Sequence, residues 1–253
     1  MRFKVILKTS SKILPILYRH RIMSLFKLAL EKQGLTEYYY SFKHPRPFTF
    51  SLLFKGSISK DVRKFDFGNF EIEENYFVLN SNYLNLLVSS PDYEFLAYLY
   101  NGLLELKDTE LNFSKDIRYS IENVFVLKEA KFFKNVAIFK TLSPILIEDK
   151  DDNPILPSDE NFEVEFNNLH RKIFNYFNVP YKDVKIKFFN YNKVVIKHTL
   201  SKFREKTGKD IMYLTCFNGI FEIQGEPKVI EFLYKKGIGN RTSQGFGMVE
   251  VVG

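Results

Sequence analysis

Lys236 Gly237 Ile238 Gly239 Asn240 Arg241 Thr242 Ser243 Gln244 Gly245 Phe246 Gly247 Met248 stands near the end of the 253-residue sequence, just before Val249 Glu250 Val251 Val252 Gly253. Four glycines in eleven positions bracket the polar run Asn240 to Gln244. Such a backbone can take positive φ and come close to another backbone. The polar run offers N–H groups and hydroxyls, and Lys235, Lys236 and Arg241 add charge, so the stretch reads as a phosphate cradle. It is neither a P-loop, since no Gly-Lys-Ser/Thr follows, nor a dinucleotide fingerprint, which needs a strand before it and a helix after it. The order is reversed: Pro227 opens an amphipathic run with Val229, Ile230, Phe232 and Leu233, and Met248 to Val252 reads as a strand.

Beyond this stretch, charge is segregated along the chain. Residues 1–64 hold 14 Lys and Arg against three acids, whereas residues 65–127 hold three against 11. The second half repeats this: residues 151–165 carry six acids and no base, residues 166–253 carry 15 bases against seven acids. Segregation on this scale favours a phosphate-rich partner, nucleic acid before an anionic membrane. The single cysteine, Cys216, excludes an internal disulfide and a thiolate zinc site and fits a reducing cytoplasm. No metal or cofactor is implied. No apolar run reaches bilayer-spanning length and Met1 to Lys8 lacks a signal-like apolar stretch, so a cytoplasmic protein is expected.

Phe3, Val5 and Leu7 alternate with Lys4 and Lys8 as a half-buried strand. After Pro15, Ile22, Leu25, Phe26 and Ala29 form a helical stripe that leaves Arg19, Met23 and Lys27 on another face, available to RNA; Gly34 ends the helix. Strands are expected at Phe48–Phe54, within Phe65–Leu79, at Leu84–Ser89, near Glu105–Phe113 and at Ile117–Leu127, with a helix capped by Ser90 between. The second half reads as a strand over Val136–Ile147, a helix opened by Ser158, Asp159 and Glu160, a cationic strand carrying Lys185, Lys187, Lys193 and Lys197 with a turn at Tyr191 and Asn192, a strand over Ile211–Ile223, then the helix before the glycines. Each half thus reads β, α, β, β, α, β with decorations, the ferredoxin-like order, for an α+β fold of two tandem ferredoxin-like domains. The expected boundaries are 1–127 and 128–253, the second containing the glycine-rich loop 237–247.

Gly-φ-Gly, a polar run with Ser, then Gly-Phe-Gly-φ resembles the C-terminal signature of the CRISPR-associated repeat-RNA processing endoribonucleases, within the repeat-associated mysterious protein superfamily. Gly237, Gly239, Ser243, Gly245, Phe246 and Gly247 carry the match, and Met1 Arg2 Phe3, Phe48 Thr49 Phe50 Ser51, Asn101 Gly102 Leu103 Leu104 and Thr141 to Ile145 extend it over most of the chain. The resemblance implies two ferredoxin-like, RRM-type domains side by side, RNA held in the cleft between them and CRISPR repeat RNA as partner. It leaves room for other CRISPR-associated effector subunits and leaves the oligomeric state open. It also implies metal-independent cleavage by the RNA's own 2′-hydroxyl.

Such a cut needs a base near the 2′-oxygen, an acid near the leaving 5′-oxygen and donors for the charge on phosphorus. His44, between Lys43 and Arg46 in a proline-bounded loop, lies in the region where similar proteins commonly keep a catalytic histidine; in many of them it stands further upstream, where this chain has Tyr39 and Tyr40. Lys43 or Arg46 would stabilise phosphorane charge, and Tyr39 or Tyr40 would stack a base or orient the 2′-hydroxyl. His20, between Arg19 and Arg21, is the second candidate. The third alternative needs no histidine, because tyrosine, lysine and positioning can carry a slow single-turnover cut. His170, on a helix beside Leu169, and His198, after a strand, read as structural or surface groups. The RNA-binding set is Arg19, Arg21, Met23, Lys27, Lys185, Lys187, Lys193, Lys197, Lys235, Lys236, Gly237, Gly239, Arg241, Ser243, Gly245 and Gly247. A non-catalytic repeat-RNA-binding subunit is the alternative function.

Overall fold

The computed structural model describes residues 1–35 and 45–252. The first half runs β1 (Arg2–Thr9), β2 (Ile13–Pro15), α1 (Arg19–Lys32), β3 (Thr49–Leu53), β4 (Gly56–Ile58), β5 (Arg63–Asp66), β6 (Glu71–Glu74), β7 (Tyr76–Leu79), β8 (Tyr83–Ser89), α2 (Tyr93–Glu105), β9 (Leu111–Ser114) and β10 (Ile117–Leu127). Alternation in β1 turns Phe3, Val5 and Leu7 into a core where they have no solvent exposure. Antiparallel pairing extends that buried face to Leu84, Leu86 and Val88 of β8 and Ile121 and Val124 of β10. The sheet order is β3-β8-β1-β10-β9. Helix α1 lays Ile22, Leu25, Phe26 and Ala29 on this core, and α2 lays Phe95, Leu96, Leu99 and Leu103 beside them. The helices touch at Gly102, where a Cβ would stand 2.0 Å from the Ala29 carbonyl oxygen. Only glycine permits that approach.

The second half runs β11 (Val136–Thr141), α3 (Phe162–Tyr176), β12 (Lys185–His198), α4 (Ser201–Thr207), β13 (Met212–Gln224), α5 (Pro227–Lys236), a 3₁₀ turn at Thr242–Gln244 and β14 (Val249–Val251). Its sheet order is β12-β13-β11-β14. Counting only the βαββαβ members, both sheets place the strands second, third, first, fourth, the tandem ferredoxin-like architecture expected from element order. Among the described residues, no helix is long and apolar enough to cross a membrane.

Several local expectations are corrected. The strand placed near Glu105–Phe113 begins only at Leu111, because Leu103 and Leu106 continue the buried helical stripe of α2. The cap of α2 is Asp92, whose side chain accepts the Phe95 N–H at 2.9 Å; the Ser90 hydroxyl instead accepts the Asp92 N–H at 3.0 Å. The strand expected over Val136–Ile147 ends at Thr141, and Ile145 returns only as a bridge to Phe217. No turn occurs at Tyr191 and Asn192: β12 pairs with β13 continuously from Lys185 to His198, with a bulge between Phe188 and Asn190. The polar Tyr191-Asn192 step has a turn-like composition, but pairing with thirteen residues of β13 overrides it.

Candidate nucleic-acid interface

All four loop glycines have positive φ, between 72° and 90°. The close approach they allow is made to the protein itself. A Cβ would stand 2.7 Å from Thr49 at Gly237, 2.4 Å from the Leu146 carbonyl at Gly239, 2.9 Å from the Phe50 ring at Gly245 and 1.9 Å from the Ile238 carbonyl at Gly247. Loop N–H groups are also used internally: Ile238 donates to Gly247, Asn240 to Leu146, Gly247 to Pro144, Met248 to the Ser143 hydroxyl and Gly239 to Nε2 of His170. The reading of Gly237, Gly239, Gly245 and Gly247 as an open phosphate cradle is therefore corrected to a buried joint. Ile238, Phe246 and Met248 alternate with the glycines and are fully buried; burying them draws the loop inward.

That joint clamps the two halves. The Thr49 hydroxyl donates to the Phe246 carbonyl at 2.8 Å and the Ser51 hydroxyl to the Leu142 carbonyl at 2.6 Å. Arg2 donates to the Val249 carbonyl at 2.9 Å while its guanidinium lies 4.0 Å from the Tyr234 ring centre. Arg19 donates to the Gly245 carbonyl at 3.4 Å and lies over Phe246. Arg19 is thus buried in the joint rather than displayed to RNA. Lys235 and Lys236 are corrected in the same way: Lys235 is held by Tyr93 and Glu231, and Lys236, 3% exposed, has its ammonium pKa pushed down to about 7 by burial. Both lie on the last turn of α5, whose apolar face carries them inside. Arg241 is half-buried, its Nε 3.7 Å from a Glu148 oxygen, and Ser243 is half-buried beside it.

A different surface gathers cations. A cavity of about 220 Å³ opens where α1 meets the start of α4, lined by His20, Arg21, Ser24 and Lys27 from the first half and Thr199, Ser201 and Arg204 from the second. Met23, Asn69 and Leu200 complete a lining that has three cations and no carboxylate. Lys27 is paired with Glu31 at 3.4 Å, one turn along α1. The Arg204 guanidinium donates to the Thr199 hydroxyl at 2.8 Å and lies 4.1 Å from the Phe70 ring centre. Arg21 donates to the Phe67 carbonyl, and its Nε is buried without a hydrogen-bond partner. His20 packs edge-on against Phe67, with Nδ1 2.5 Å from the Leu17 carbonyl and Nε2 buried and unpartnered. Burial first, then the neighbouring Arg21 charge, push its pKa down to about 3. It is a neutral imidazole at physiological pH.

Of the strand lysines, Lys185, Lys187 and Lys193 are exposed on β12, whereas Lys197 forms a 2.6 Å ion pair with Glu74 across the halves. His44, Tyr39, Tyr40 and Lys43 lie outside the described residues; Arg46 is half-buried just before β3. Sequence reasoning missed Asn69, Thr199, Ser201 and Arg204. The basic run Lys202 to Lys209 was a usable signal for Arg204, but its meeting with α1 depends on the β12–β13 hairpin swinging its connection across to the other half. Among the described residues, no group of three or more His, Cys, Asp or Glu side chains is placed to share a metal ion.

Two ferredoxin-like units locked by a C-terminal glycine joint, with a cationic cleft at their junction, define a tandem ferredoxin-like protein. Residues 127–251 match the family described as CRISPR associated protein Cas6, C-terminal. CRISPR-associated endoribonuclease Cas6 1 of Methanocaldococcus jannaschii is 30% identical over 178 residues, 65% of this chain and 62% of that protein. CRISPR-associated endoribonuclease Cas6 of Pyrococcus furiosus is 27% identical over 163 residues, 63% of this chain and 57% of that protein. The match thus spans less than two thirds of either of these relatives. Among solved structures, that of a Cas6-related gene product from Pyrococcus furiosus superposes with a TM-score of 0.73 at 21% identity, covering 100% of this chain and 98% of that one. A RAMP protein described as binding different RNA substrates superposes with a TM-score of 0.74 at 17% identity over 100% of both chains. Residues 127–251 thus match the Cas6 C-terminal family, and the chain is similar to proteins named Cas6 endoribonucleases and shares the fold of solved Cas6-related structures.

Proposed function

We propose that the protein is an endoribonuclease that binds CRISPR repeat RNA and cuts within the repeat without a metal ion. The observation carrying this reading is the carboxylate-free cavity lined by Arg21, Lys27 and Arg204 at the junction of the two halves, in a chain similar to proteins named Cas6 endoribonucleases. The RNA's 2′-oxygen attacks the adjacent phosphorus as its proton passes to a base; the P–O2′ bond forms, the P–O5′ bond breaks, and the 5′-oxygen takes up a proton. Products are a 2′,3′-cyclic phosphate and a 5′-hydroxyl. Cations beside the phosphate stabilise charge that grows only in the transition state.

Three of the four histidines, His20, His170 and His198, are buried with pKa values pushed down to about 3. Groups that basic-poor cannot exchange protons efficiently near neutrality. This supports His44 as the proton carrier, with Lys43 or Arg46 beside the phosphate and Tyr39 or Tyr40 orienting the sugar. The same burial keeps alive a second reading, a repeat-RNA-binding subunit without catalysis, which applies if His44 does not act.

The test is incubation of the full chain with repeat transcript in EDTA, with the wild type beside His44→Ala. Cleavage to cyclic-phosphate ends is expected from the wild type, slowed roughly 10²-fold or more in His44→Ala at near-normal affinity. A gel shift with no shortening of the RNA selects the binding subunit instead. Equal rates from wild type and variant would remove His44 from the chemistry.

A further inference from the structure

The hairpin of β5 and β6 forms a two-stranded sheet of its own, outside the βαββαβ order, and it is braced from both halves. On the first-half side, Asp66 pairs with Lys115 at 2.5 Å, its carbonyl accepts the Lys115 N–H at 2.9 Å, and Arg63 pairs with Asp116. On the second-half side, Glu74 takes Lys197 of β12 at 2.6 Å. The tip, Phe67 Gly68 Asn69 Phe70, closes through the Phe67 N–H, which donates to the Phe70 carbonyl at 3.0 Å. The two tip rings stack with centres 4.8 Å apart and planes 20° from parallel. Phe67 is buried and Phe70 half-buried, so the stacked pair is a fixed plate beside the cationic cavity that Asn69 helps to line.

Each ring of the plate carries one guanidinium, and the two come from different halves. Arg21 of α1 lies over Phe67, 5.4 Å from the ring centre, and donates to the Phe67 carbonyl. Arg204 of α4 lies over Phe70 at 4.1 Å. Among the described residues, neither arginine forms an ion pair, whereas Arg63, Arg118 and Arg171 all do. Burial lowers the Arg21 pKa, and the Arg204 charge lowers it further. Two guanidiniums brought together without a carboxylate repel each other; an anion between them turns that repulsion into attraction, and their planar forks fit phosphate oxygens. The Thr199 hydroxyl accepts one Arg204 N–H at 2.8 Å, and the other donors of that fork have no protein partner among the described residues. Helix α4 is only seven residues long and buries none of them, so its own packing cannot fix the guanidinium. Thr199 on one side and the Phe70 ring on the other do so.

We propose that Phe70 is a positioning residue: its ring face holds the Arg204 guanidinium so that Arg204 from the second half and Arg21 from the first close on one phosphate of the RNA. The inference rests on the reading that this cavity takes the repeat RNA, and it concerns what aligns the cations there. Phe70 acts through Arg204 and needs no contact of its own with the strand.

The test measures repeat-RNA affinity of the full chain at several salt concentrations for the wild type, Arg204→Gln, Phe70→Leu, Phe70→Tyr, and Phe70→Leu combined with Arg204→Gln. Leucine keeps the apolar cover and removes the ring face, whereas tyrosine keeps both. Arg204→Gln should flatten the slope of log K against log salt by about 0.7, one phosphate contact to a single strand. Phe70→Leu should weaken binding about fivefold, the scale of a cation–π contact, while Phe70→Tyr binds as the wild type does. In the combined variant Phe70→Leu should add nothing to the loss from Arg204→Gln, because the group it positions is gone. A Phe70 that serves only the shape of the hairpin would instead add the same loss in both backgrounds and lower the melting temperature. Additive losses, or wild-type affinity in Phe70→Leu, overturn the proposal, and cleavage by the wild type then leaves the endoribonuclease reading standing. Non-additive losses in a protein that binds the repeat without cutting it do the reverse. Absence of wild-type affinity for the repeat overturns the two together.

Discussion

A neutral imidazole donates through one nitrogen and accepts through the other, and His170 uses both. Nδ1 sits 2.7 Å from the Phe166 carbonyl while Nε2 accepts the Gly239 N–H at 3.0 Å, so the ring pins the glycine joint to α3. Protonating Nε2 would set two donors against each other inside the core. His198 follows the same logic at the other side of the joint, 3.1 Å from Gln244 and edge-on to Phe246. With His20, these make three histidines whose folded pKa values lie near 3, below the ordinary 6.5. The unfolded chain therefore binds protons that the folded chain refuses. Their stabilisation is complete above about pH 6.5 and is lost as pH falls from there towards 3, each group contributing up to about 1.4 kcal/mol per pH unit. Urea unfolding between pH 7 and 5 should show a falling midpoint, with the fall reduced in His170→Gln; a midpoint indifferent to pH in this window would mean that the rings titrate in the fold as they do in the unfolded chain.

At the scale of elements, the helix, glycine loop and strand at the C-terminus were recognisable as a unit, but their orientation was not. The same four glycines suit a loop that wraps a phosphate and a loop that wedges between strands, because positive φ and the lack of a Cβ serve both. What turns the loop inward is the chain it meets: Thr49 and Phe50 of β3 on one side and Ser143 to Leu146 on the other. A side chain at Gly247 must take φ of 72° and meet the Ile238 carbonyl at 1.9 Å. Gly247→Ala should therefore cost about 2 kcal/mol or more in stability before any RNA is added. A variant that melts like the wild type yet binds RNA poorly would return the loop to the role of direct RNA contact. The cap of α2 teaches the same lesson on a smaller scale: Ser90, Pro91 and Asp92 are all plausible openers, and Ser90 loses because its hydroxyl is drawn to the Pro47 carbonyl beside β3.

For the whole molecule, docking of the two halves is written in buried polar contacts rather than in ion pairs alone. Arg2, 3% exposed, reaches from the first strand to the backbone of β14 and the Tyr234 ring. Burial lowers its pKa, opposed by nearby Tyr234, Glu250 and Glu129. Arg2→Ala leaves the Val249 carbonyl without its donor and opens the seam between the sheets. The expected loss is about 2 kcal/mol or more, read as a lower urea midpoint; an unchanged midpoint would show that the halves dock through the glycine joint alone. The cationic cavity at α1 and α4 exists only in the docked arrangement, because Arg21 and Lys27 come from one half and Arg204 from the other.

The element order, the two ferredoxin-like units and the family likeness are legible along the chain, because hydrophobic periodicity, proline and glycine punctuation and the glycine signature are local properties. It also showed where positive charge accumulates. Which of those charges face outward is a matter of packing: Arg19, Lys235 and Lys236 occupy sites indistinguishable in sequence from their exposed neighbours, yet Arg19 and Lys235 are buried where the halves dock and Lys236 is buried at the end of α5, while Arg204 is carried into the cleft by a hairpin 14 residues long on one arm and 13 on the other. Burial is a property of what packs against a residue, and those partners lie tens to hundreds of positions away in the chain.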